Sequence, residues 1–407
     1  MKFKNAIPLK QIEEARKRLE KVIYQTPFAY GSVLSQKVGN EIYLKKENLQ
    51  ITGAFKLRGA FNKISSLPPE KRKKGVIAAS AGNHAQGVAY SASYFKVPAK
   101  IVMPEATPLT KVAGVKEYGG EVILAGNNYD EAYLYAKKLA EKEGLEFIHP
   151  FADYEVMAGQ GTIGLEMLEE VPDLEYIIVP IGGGGLISGI GSAVKQINKY
   201  IKVIGVTAKG APAMRLSFMS GTVQDSAFVK TIADGIAVKN TNPLTFSIIQ
   251  EVVDDIVEVD DEEIANAILF LMERQKVVVE GAGAVGVAAL LHHKIKFTSP
   301  KKVGVVVSGG NIDVTMLNLI IEKGLLKSYR KMKLIVTLVD KPGALRQLTD
   351  ILAKERANIV AIGYDRTDLN LAIGEANVSI ALETKGYEHQ ESIKRALYNN
   401  GFKYVVE

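Results

Sequence analysis

Three apolar segments of this chain each run into a turn of glycine and other small residues, and the first two turns open helix-forming stretches. Gly75–Ala79 leads into Ser80-Ala81-Gly82-Asn83-His84. Tyr176–Pro180 leads into Ile181-Gly182-Gly183-Gly184-Gly185. Val303–Val307 leads into Ser308-Gly309-Gly310-Asn311. Continuous apolar runs of this length are strands buried on both faces, which belong to parallel sheets covered by helices. In open α/β sheets, ligands bind beyond the carboxyl ends of the strands, where all three turns fall. A tight strand-to-helix turn also needs glycine for its backbone alone. One such turn is uninformative, whereas three point to a site.

The rest of the chain keeps the same alternation. A charged helix over Leu9–Val22 precedes a strand at Glu41–Leu44, and Lys45-Lys46-Glu47-Asn48 leads into a loop centred on Lys56. Helices are expected over Ala85–Phe95, Thr110–Tyr118, Asn128–Glu143, Gly161–Glu169, Asp261–Gln275 and Ala282–His292. Further strands are expected at Ala99–Met103, Glu121–Leu124, Val203–Val206 and Asp255–Val259, with Lys209–Asn240 irregular. Strands alternating with helical stretches argue for a parallel α/β sheet. A basic connector around Leu326–Lys333 precedes a tail of strand, helix, strand, strand, helix, strand. Its elements are Leu334–Val339, Ala344–Arg356, Ile359–Tyr364, Glu375–Leu382, Glu388–Asn399 and Phe402–Val406, in the ferredoxin-like order.

Composition removes several function classes. With 407 residues, 47% of them hydrophobic, the chain can bury more than one core, and two or three domains are expected. There is no cysteine, which excludes disulfides, thiolate catalysis and cysteine-zinc sites. None of His84, His149, His292, His293 and His389 has the i, i+4 partner of a zinc helix. The net charge of +6 is spread among interspersed acids and bases. The basic run Lys71-Arg72-Lys73-Lys74 reads as a solvated helix end with no aromatic platform beside it, so no nucleic-acid partner is expected. No apolar run approaches the roughly 20 residues of a membrane helix, and the expectation is a cytoplasmic protein with no membrane partner.

The candidate site residues follow from side-chain chemistry. Lys56 sits between Phe55 and Leu57, flanked by Gly53 and Gly59. An amine in apolar surroundings loses hydration of its charged form, its pKa falls, and the neutral amine can form a Schiff base. The plain alternative is a lysine on an amphipathic helix starting near Phe55. Gly182–Gly185 leave backbone N–H groups unshielded at the start of a helix, which is a phosphate cradle. It is not a Walker loop, because no lysine follows in that form. The Asn83 amide can donate to a phenolate-like oxygen, or serve as an N-cap. His84 reads as a satisfied helix histidine. The Ser308 hydroxyl can face a ring nitrogen without adding charge, or be a turn serine. Gly281–Gly286 has the spacing G-x-G-x-x-G but lacks the acidic residue about twenty positions on, so these glycines are read as close helix packing.

Together these motifs resemble pyridoxal-phosphate enzymes of the tryptophan-synthase-β fold type (fold-type II), and more closely threonine dehydratase, also called threonine ammonia-lyase. The resemblance spans roughly Ile7 to Gly324. It rests on Phe55-Lys56-Leu57-Arg58-Gly59-Ala60, Ser80–Gly87, Gly182–Leu186 and Ser308-Gly309-Gly310-Asn311-Ile312-Asp313. It implies an α/β fold of two open, mostly parallel domains. Residues 1–51 with 152–325 would form the larger one and 52–151 a smaller mobile one, followed by a linker at 326–332 and a regulatory tail at 333–407. It implies that Lys56 holds pyridoxal 5'-phosphate covalently and later moves the Cα proton. Gly182, Gly183, Gly184, Gly185 and Leu186 would bind the cofactor phosphate, Asn83 would contact the ring oxygen, and Ser308 would face the ring nitrogen. Ser80, Ala81, Gly82, Asn83 and His84 would hold the substrate carboxylate. The implied reaction is deamination of L-threonine to 2-oxobutanoate, and of L-serine to pyruvate.

Two rivals separate on named residues. Racemising relatives carry serine where this chain has Ala81, and a methyl group cannot deliver a proton, which favours elimination over serine racemase. An amino-acid sensor with a degenerate enzyme body is opposed by intact Lys56, Asn83 and Ser308. The tail resembles an ACT domain through Asp340-Lys341-Pro342-Gly343-Ala344-Leu345. Gly343, Ala344 and Leu345 at a helix start would take an amino-acid carboxylate, and Asn358 its ammonium. The expected effector is isoleucine or valine. Exposed sheet edges favour a homodimer or homotetramer. The segment Thr231-Ile232-Ala233-Asp234-Gly235 resembles a cation-binding region of some relatives, yet no acidic ligand is evident near Thr207-Ala208-Lys209, so a metal stays open.

Overall fold

The computed structural model describes residues 3–369 and 371–407. The chain divides into two units, one ending at Asp313 and one running Val314–Glu407. Among the described residues the first unit holds ten strands in two sheets. They are Phe28–Tyr30 (β1), Glu41–Lys46 (β2), Val76–Ala79 (β3), Ala99–Met103 (β4), Glu121–Leu124 (β5), Glu146–Phe147 (β6), Tyr176–Pro180 (β7), Lys202–Ala208 (β8), Asp255–Val259 (β9) and Lys302–Val307 (β10). One sheet has the order β1-β2-β10-β7-β8-β9, with only β1 on β2 antiparallel. The other has the order β5-β4-β3-β6 and is parallel throughout.

Both sheets are covered on two faces, which explains their unbroken apolar runs. In the smaller sheet, Val76, Ala78, Ile101 and Met103 face Ile64, Val88 and Val115, whereas Ile77, Ala79 and Val102 face Ala132, Ala136 and Ala140. In the larger sheet, Ile177, Val179 and Val203 pack on helices Tyr154–Glu170, Gly185–Ile197 and Pro243–Val252. Helix Gly281–Leu291 covers the opposite face, where a Cβ on Gly286 would lie 2.7 Å from Val305. The G-x-G-x-x-G spacing is therefore a packing feature, as expected.

Three local expectations need correction. The helix expected from Gly161 begins at Tyr154, capped by Asp153, whose Oδ1 accepts from Glu155 N at 2.9 Å and Val156 N at 3.1 Å. Gly159, Gly161 and Gly164 obscured it, because they read as breakers and serve instead as contact points. A Cβ on Gly161 would stand 2.9 Å from Gly189 O on the neighbouring helix. The stretch Lys209–Asn240 contains a helix, Ala213–Ser220, stopped by Gly221 in the left-handed region. The helix from Asp261 ends as α-helix at Phe270 and continues as a π turn over Leu271–Gln275.

The second unit opens with helix Val314–Lys327 and continues through strands Lys331–Val339 (β11), Asn358–Asp365 (β12), Glu375–Glu383 (β13) and Lys403–Val406 (β14). These form an antiparallel sheet, order β12-β13-β11-β14, with helices Ala344–Lys354 and Tyr387–Asn399 in the ferredoxin-like order. Its core joins Leu334, Val336, Val378 and Ile380 to Leu348, Leu352, Ile393 and Leu397. The basic stretch 326–332 carries the end of a helix and the start of β11, because Met332 and Leu334 alternate inward between outward lysines. Among the described residues no helix is long and apolar enough to cross a membrane.

Candidate active site

A cavity of about 860 Å³ opens at the carboxyl ends of both sheets of the first unit. Lys56, Ser80, Ala81, Gly82, Asn83, His84, Gly182, Gly183, Gly184, Gly185, Leu186 and Ser308 all line it. Residues chosen from four separate stretches of sequence thus converge on one cavity.

Lys56 is the first residue of helix Lys56–Ser66, so the helix reading and the site reading both hold. Two backbone contacts stitch its loop to the turn after β10. Phe55 N donates to Ser308 O at 3.0 Å, and Gly310 N donates to Gly53 O at 2.9 Å. The Lys56 amine donates to Pro150 O at 2.7 Å and lies 5.2 Å from the Phe55 ring centre. Desolvation pulls its pKa from 10.5 down to about 8, and the charge of Glu280 opposes the shift only in part.

The tetraglycine turn follows β7. Among the described residues, nothing accepts a hydrogen bond from the amides of Gly182, Gly183, Gly184 or Gly185. A Cβ on Gly183 would run into the Phe151 ring, and Gly184 has φ 89°, so side chains are barred and the donors stay bare. Thr245 fixes the turn from behind, its Oγ1 donating to Gly183 O at 2.8 Å. Ser308 directly follows β10 and is 2% exposed.

Asn83 opens helix Asn83–Tyr94 as its first residue, so it is not the N-cap, a place Gly82 takes. Its Nδ2 donates to Glu280 at 2.8 and 3.0 Å, and its Oδ1 accepts from Asn311 Nδ2 at 2.7 Å. Glu280 is buried, and desolvation lifts its carboxyl pKa to about 7 against the pull of the Asn83 hydrogen bond. His84 Nε2 donates to Ile148 O at 2.8 Å, while its Nδ1 is buried without a partner, so the ring is only half satisfied. Burial and the Lys56 charge push its pKa down to about 3. His149 accepts from Phe151 N at 3.2 Å and Ala152 N at 2.8 Å through Nδ1, and the same two causes push its pKa down to about 4. Both rings are neutral at physiological pH.

Sequence reasoning missed Glu280, Asn311 and His149 as cavity residues. It also missed a buried charge cluster behind Lys56. Arg58 pairs with Glu47 at 2.7 Å and Glu166 at 2.5 Å, and Lys45 pairs with Glu166 at 2.7 Å. Burial works against the Arg58 charge, but the two carboxylates more than offset it and hold its pKa above the ordinary value. Lys45 after the apolar Leu44 and Arg58 after the apolar Leu57, one on either side of the site loop, were the available signal.

The four tail candidates lie in the second unit. Gly343, at φ 89°, precedes helix Ala344–Lys354; Ala344 is buried and Leu345 is 37% exposed. The amide of Ala344 is not bare, because it donates to Lys341 O at 3.2 Å. Asn358 starts β12 and donates through Nδ2 to Glu383 at 2.8 Å. Among the described residues no group of three or more acidic or histidine side chains is placed to hold a metal ion. Asp234 instead pairs with Lys111 at 3.1 Å.

Residues 19–309 match the sequence profile of the family described as pyridoxal-phosphate dependent enzyme. Over 400 residues the chain is 51% identical to an L-threonine ammonia-lyase of Thermotoga maritima, covering 98% of this chain and 99% of that one. The processed form of threonine deaminase isoform 2 from Solanum lycopersicum matches with a TM-score of 0.74 and 38% identity, covering 78% of this chain and 88% of that one. Maize serine racemase matches with a TM-score of 0.74 and 39% identity, covering 79% of this chain and 100% of that one.

Proposed function

This chain belongs to the family of pyridoxal-phosphate-dependent enzymes, and from that premise we infer that it deaminates L-threonine to 2-oxobutanoate and ammonia. The observation that carries the reading is the convergence on one cavity of a half-buried amine of lowered pKa and an uncharged cradle of bare amides. The residues present fit the cofactor, since bare glycine amides at a helix start suit a phosphate. A neutral amine suits bonding to an aldehyde.

When bound, the cofactor supplies an electron-withdrawing ring that stabilises negative charge at the substrate Cα. Lys56 would provide the amine that holds it and, once displaced from it by the amine of the substrate, would be free to take the Cα proton. Its pKa of about 8 leaves a useful neutral fraction near neutral pH. Gly182, Gly183, Gly184, Gly185 and Leu186 grip the phosphate without adding charge. Asn83 would donate to the ring oxygen through the amide nitrogen that also meets Glu280. Ser308 would offer the ring nitrogen a hydroxyl group that adds no charge, a setting that would favour loss of the β-hydroxyl. The segment Ser80–His84 holds the substrate carboxylate at the start of a helix, whose N–H groups and dipole favour an anion. Neutral His84 and His149 keep the wall from competing for that carboxylate.

The same chemistry extends to L-serine, giving pyruvate. Serine racemase is the second reading, given the resemblance in fold, but Ala81 offers no proton on the face opposite Lys56. The division of residues 1–51 and 152–325 from a mobile 52–151 segment, the binding of isoleucine or valine by the tail, and a homodimeric or homotetrameric assembly belong to the same proposal. Incubating the enzyme with L-threonine, L-serine and their D-isomers, and measuring 2-oxo acids and enantiomers, tests it. Accumulation of D-serine without 2-oxo acid would favour the racemase.

A further inference from the structure

Asn83 and Glu280, 197 residues apart, meet with the amide nitrogen of one shared between both oxygens of the other, at 2.8 and 3.0 Å. The other end of the Asn83 amide is also held. Its Oδ1 accepts from Asn311 Nδ2 at 2.7 Å, and Asn311 Nδ2 donates to Thr52 O at 2.9 Å. The amide therefore has one sense, with its NH2 end towards the carboxyl group. Glu280 is anchored in turn, since its backbone N–H donates to Gly309 O at 3.1 Å and the residue is 4% exposed. Two glycines leave it room. A Cβ on Gly309 would collide with Glu280 Oε1, and one on Gly235 would stand 3.3 Å from it. A buried carboxyl group is costly unless it is hydrogen-bonded, so packing alone gives no reason for an acid in this wall.

We propose that Glu280 is a positioning residue for Asn83: it takes one N–H of the amide, so that the other is presented to the ring oxygen of the bound cofactor, and its negative charge favours the protonated form of the cofactor's bond to Lys56. The inference rests on the roles given to Asn83 and Lys56 under the proposed function. The charged groups around Glu280 are Asp234, which disfavours its ionisation, and Lys111 and Lys56, which favour it. Burial outweighs them and lifts the carboxyl pKa to about 7.

The test compares the wild type with Glu280→Gln, Glu280→Ala, Asn83→Ala and the double variant Asn83→Ala/Glu280→Ala, each reconstituted with pyridoxal phosphate. Two quantities are read: the cofactor dissociation constant, and the pH midpoint at which the visible band of the protonated cofactor–lysine bond is lost. Glu280→Ala should weaken cofactor retention about tenfold or more, as expected for losing a hydrogen bond to a charged group. Glu280→Gln should restore most of the retention, because it keeps an acceptor for Asn83. The double variant should retain cofactor no worse than Asn83→Ala alone, since coupled residues are not additive. Glu280→Gln should also lower the pH midpoint by about one unit or more, because a nearby negative charge is gone. If Glu280→Ala does not fold, the midpoint of Glu280→Gln decides. Additive losses in the double variant, or an unchanged midpoint in Glu280→Gln, would overturn the proposal. A visible band that survives in Lys56→Ala would instead overturn the reading of Lys56 beneath it, and this inference with it.

Discussion

The amine of Lys56 lies 2.7 Å from the carbonyl oxygen of Pro150. That contact ties the first turn of the Lys56 helix to the segment carrying His149 and Phe151, and Phe151 in turn packs under the tetraglycine turn. One short stretch therefore touches both the amine and the cradle, so displacing either disturbs the other.

The lowered pKa of Lys56 predicts how apoprotein captures cofactor. Only the neutral amine reacts, and a drop from 10.5 to about 8 raises its fraction at neutral pH by about two orders of magnitude. The capture rate, followed by absorbance after mixing apoprotein with pyridoxal phosphate, should rise with pH and level off above about 8. The same shift has a cost in stability. A base whose folded pKa lies below its unfolded value destabilises the fold below about 8, and that cost fades as pH rises from there towards 10.5. A rate still climbing steeply well above pH 9 would mean that the reacting amine is an ordinary surface lysine, whose pKa is about 10.4.

Arg58, fully buried between Glu47 and Glu166, should be the most sensitive charged residue for stability. Arg58→Met leaves Glu166 to Lys45 and Glu47 to the Thr26 hydroxyl, without its cation, and should destabilise the first unit by about 3–5 kcal/mol, read by urea or thermal unfolding. Glu166 is held below the ordinary carboxylate range; burial works against its charge, but Arg58 and Lys45 outweigh it. Its contribution is thus present above its unfolded pKa and lost as pH falls through the lowered folded value. An unchanged unfolding midpoint in Arg58→Met would show that the cluster adds no net stability.

The larger strands were legible from sequence because burial on both faces makes them continuous apolar runs. The three turns were legible because small residues cluster after them. Other features were hidden for physical reasons. Glu280 ends the run Val277-Val278-Val279 and looks like the solvated edge of a strand. Only the fold, by laying it beside Gly309, brings it to Asn83. Lys45 reads as the approach to a loop, yet it is buried in β2 against Glu166, a partner that local sequence cannot reveal. Helix Tyr154–Glu170 was half lost because its glycines, which permit close contact with a neighbouring helix, look like breaks.

Ala81, which lines the cavity and carries only a methyl group, should govern the choice between elimination and racemisation. Ala81→Ser should yield measurable D-serine from L-serine on a chiral column while 2-oxo-acid formation falls. A variant that makes no D-serine would show that one hydroxyl group is insufficient, and Ala81 would cease to argue against racemase activity.

The tail offers a separate test. If the bare amides beyond Ala344 and the exposed Asn358 take an amino acid, calorimetry on the full chain should detect binding of isoleucine or valine. Asn358→Ala should weaken that binding severalfold, in line with the roughly 0.5–1.5 kcal/mol of a typical hydrogen bond. Binding must also shift deaminase activity, which requires unequal affinity for two arrangements of the enzyme. No heat of binding for either amino acid would leave the tail without this regulatory role.

The most direct measurement is reduction of the cofactor-loaded enzyme with labelled borohydride, followed by proteolysis and peptide mapping. The account predicts a single labelled peptide containing Phe55-Lys56-Leu57, with the label on Lys56 and none in Lys56→Ala, which should also form no 2-oxobutanoate from L-threonine. A label on any other lysine, or full 2-oxobutanoate formation by Lys56→Ala, would contradict it.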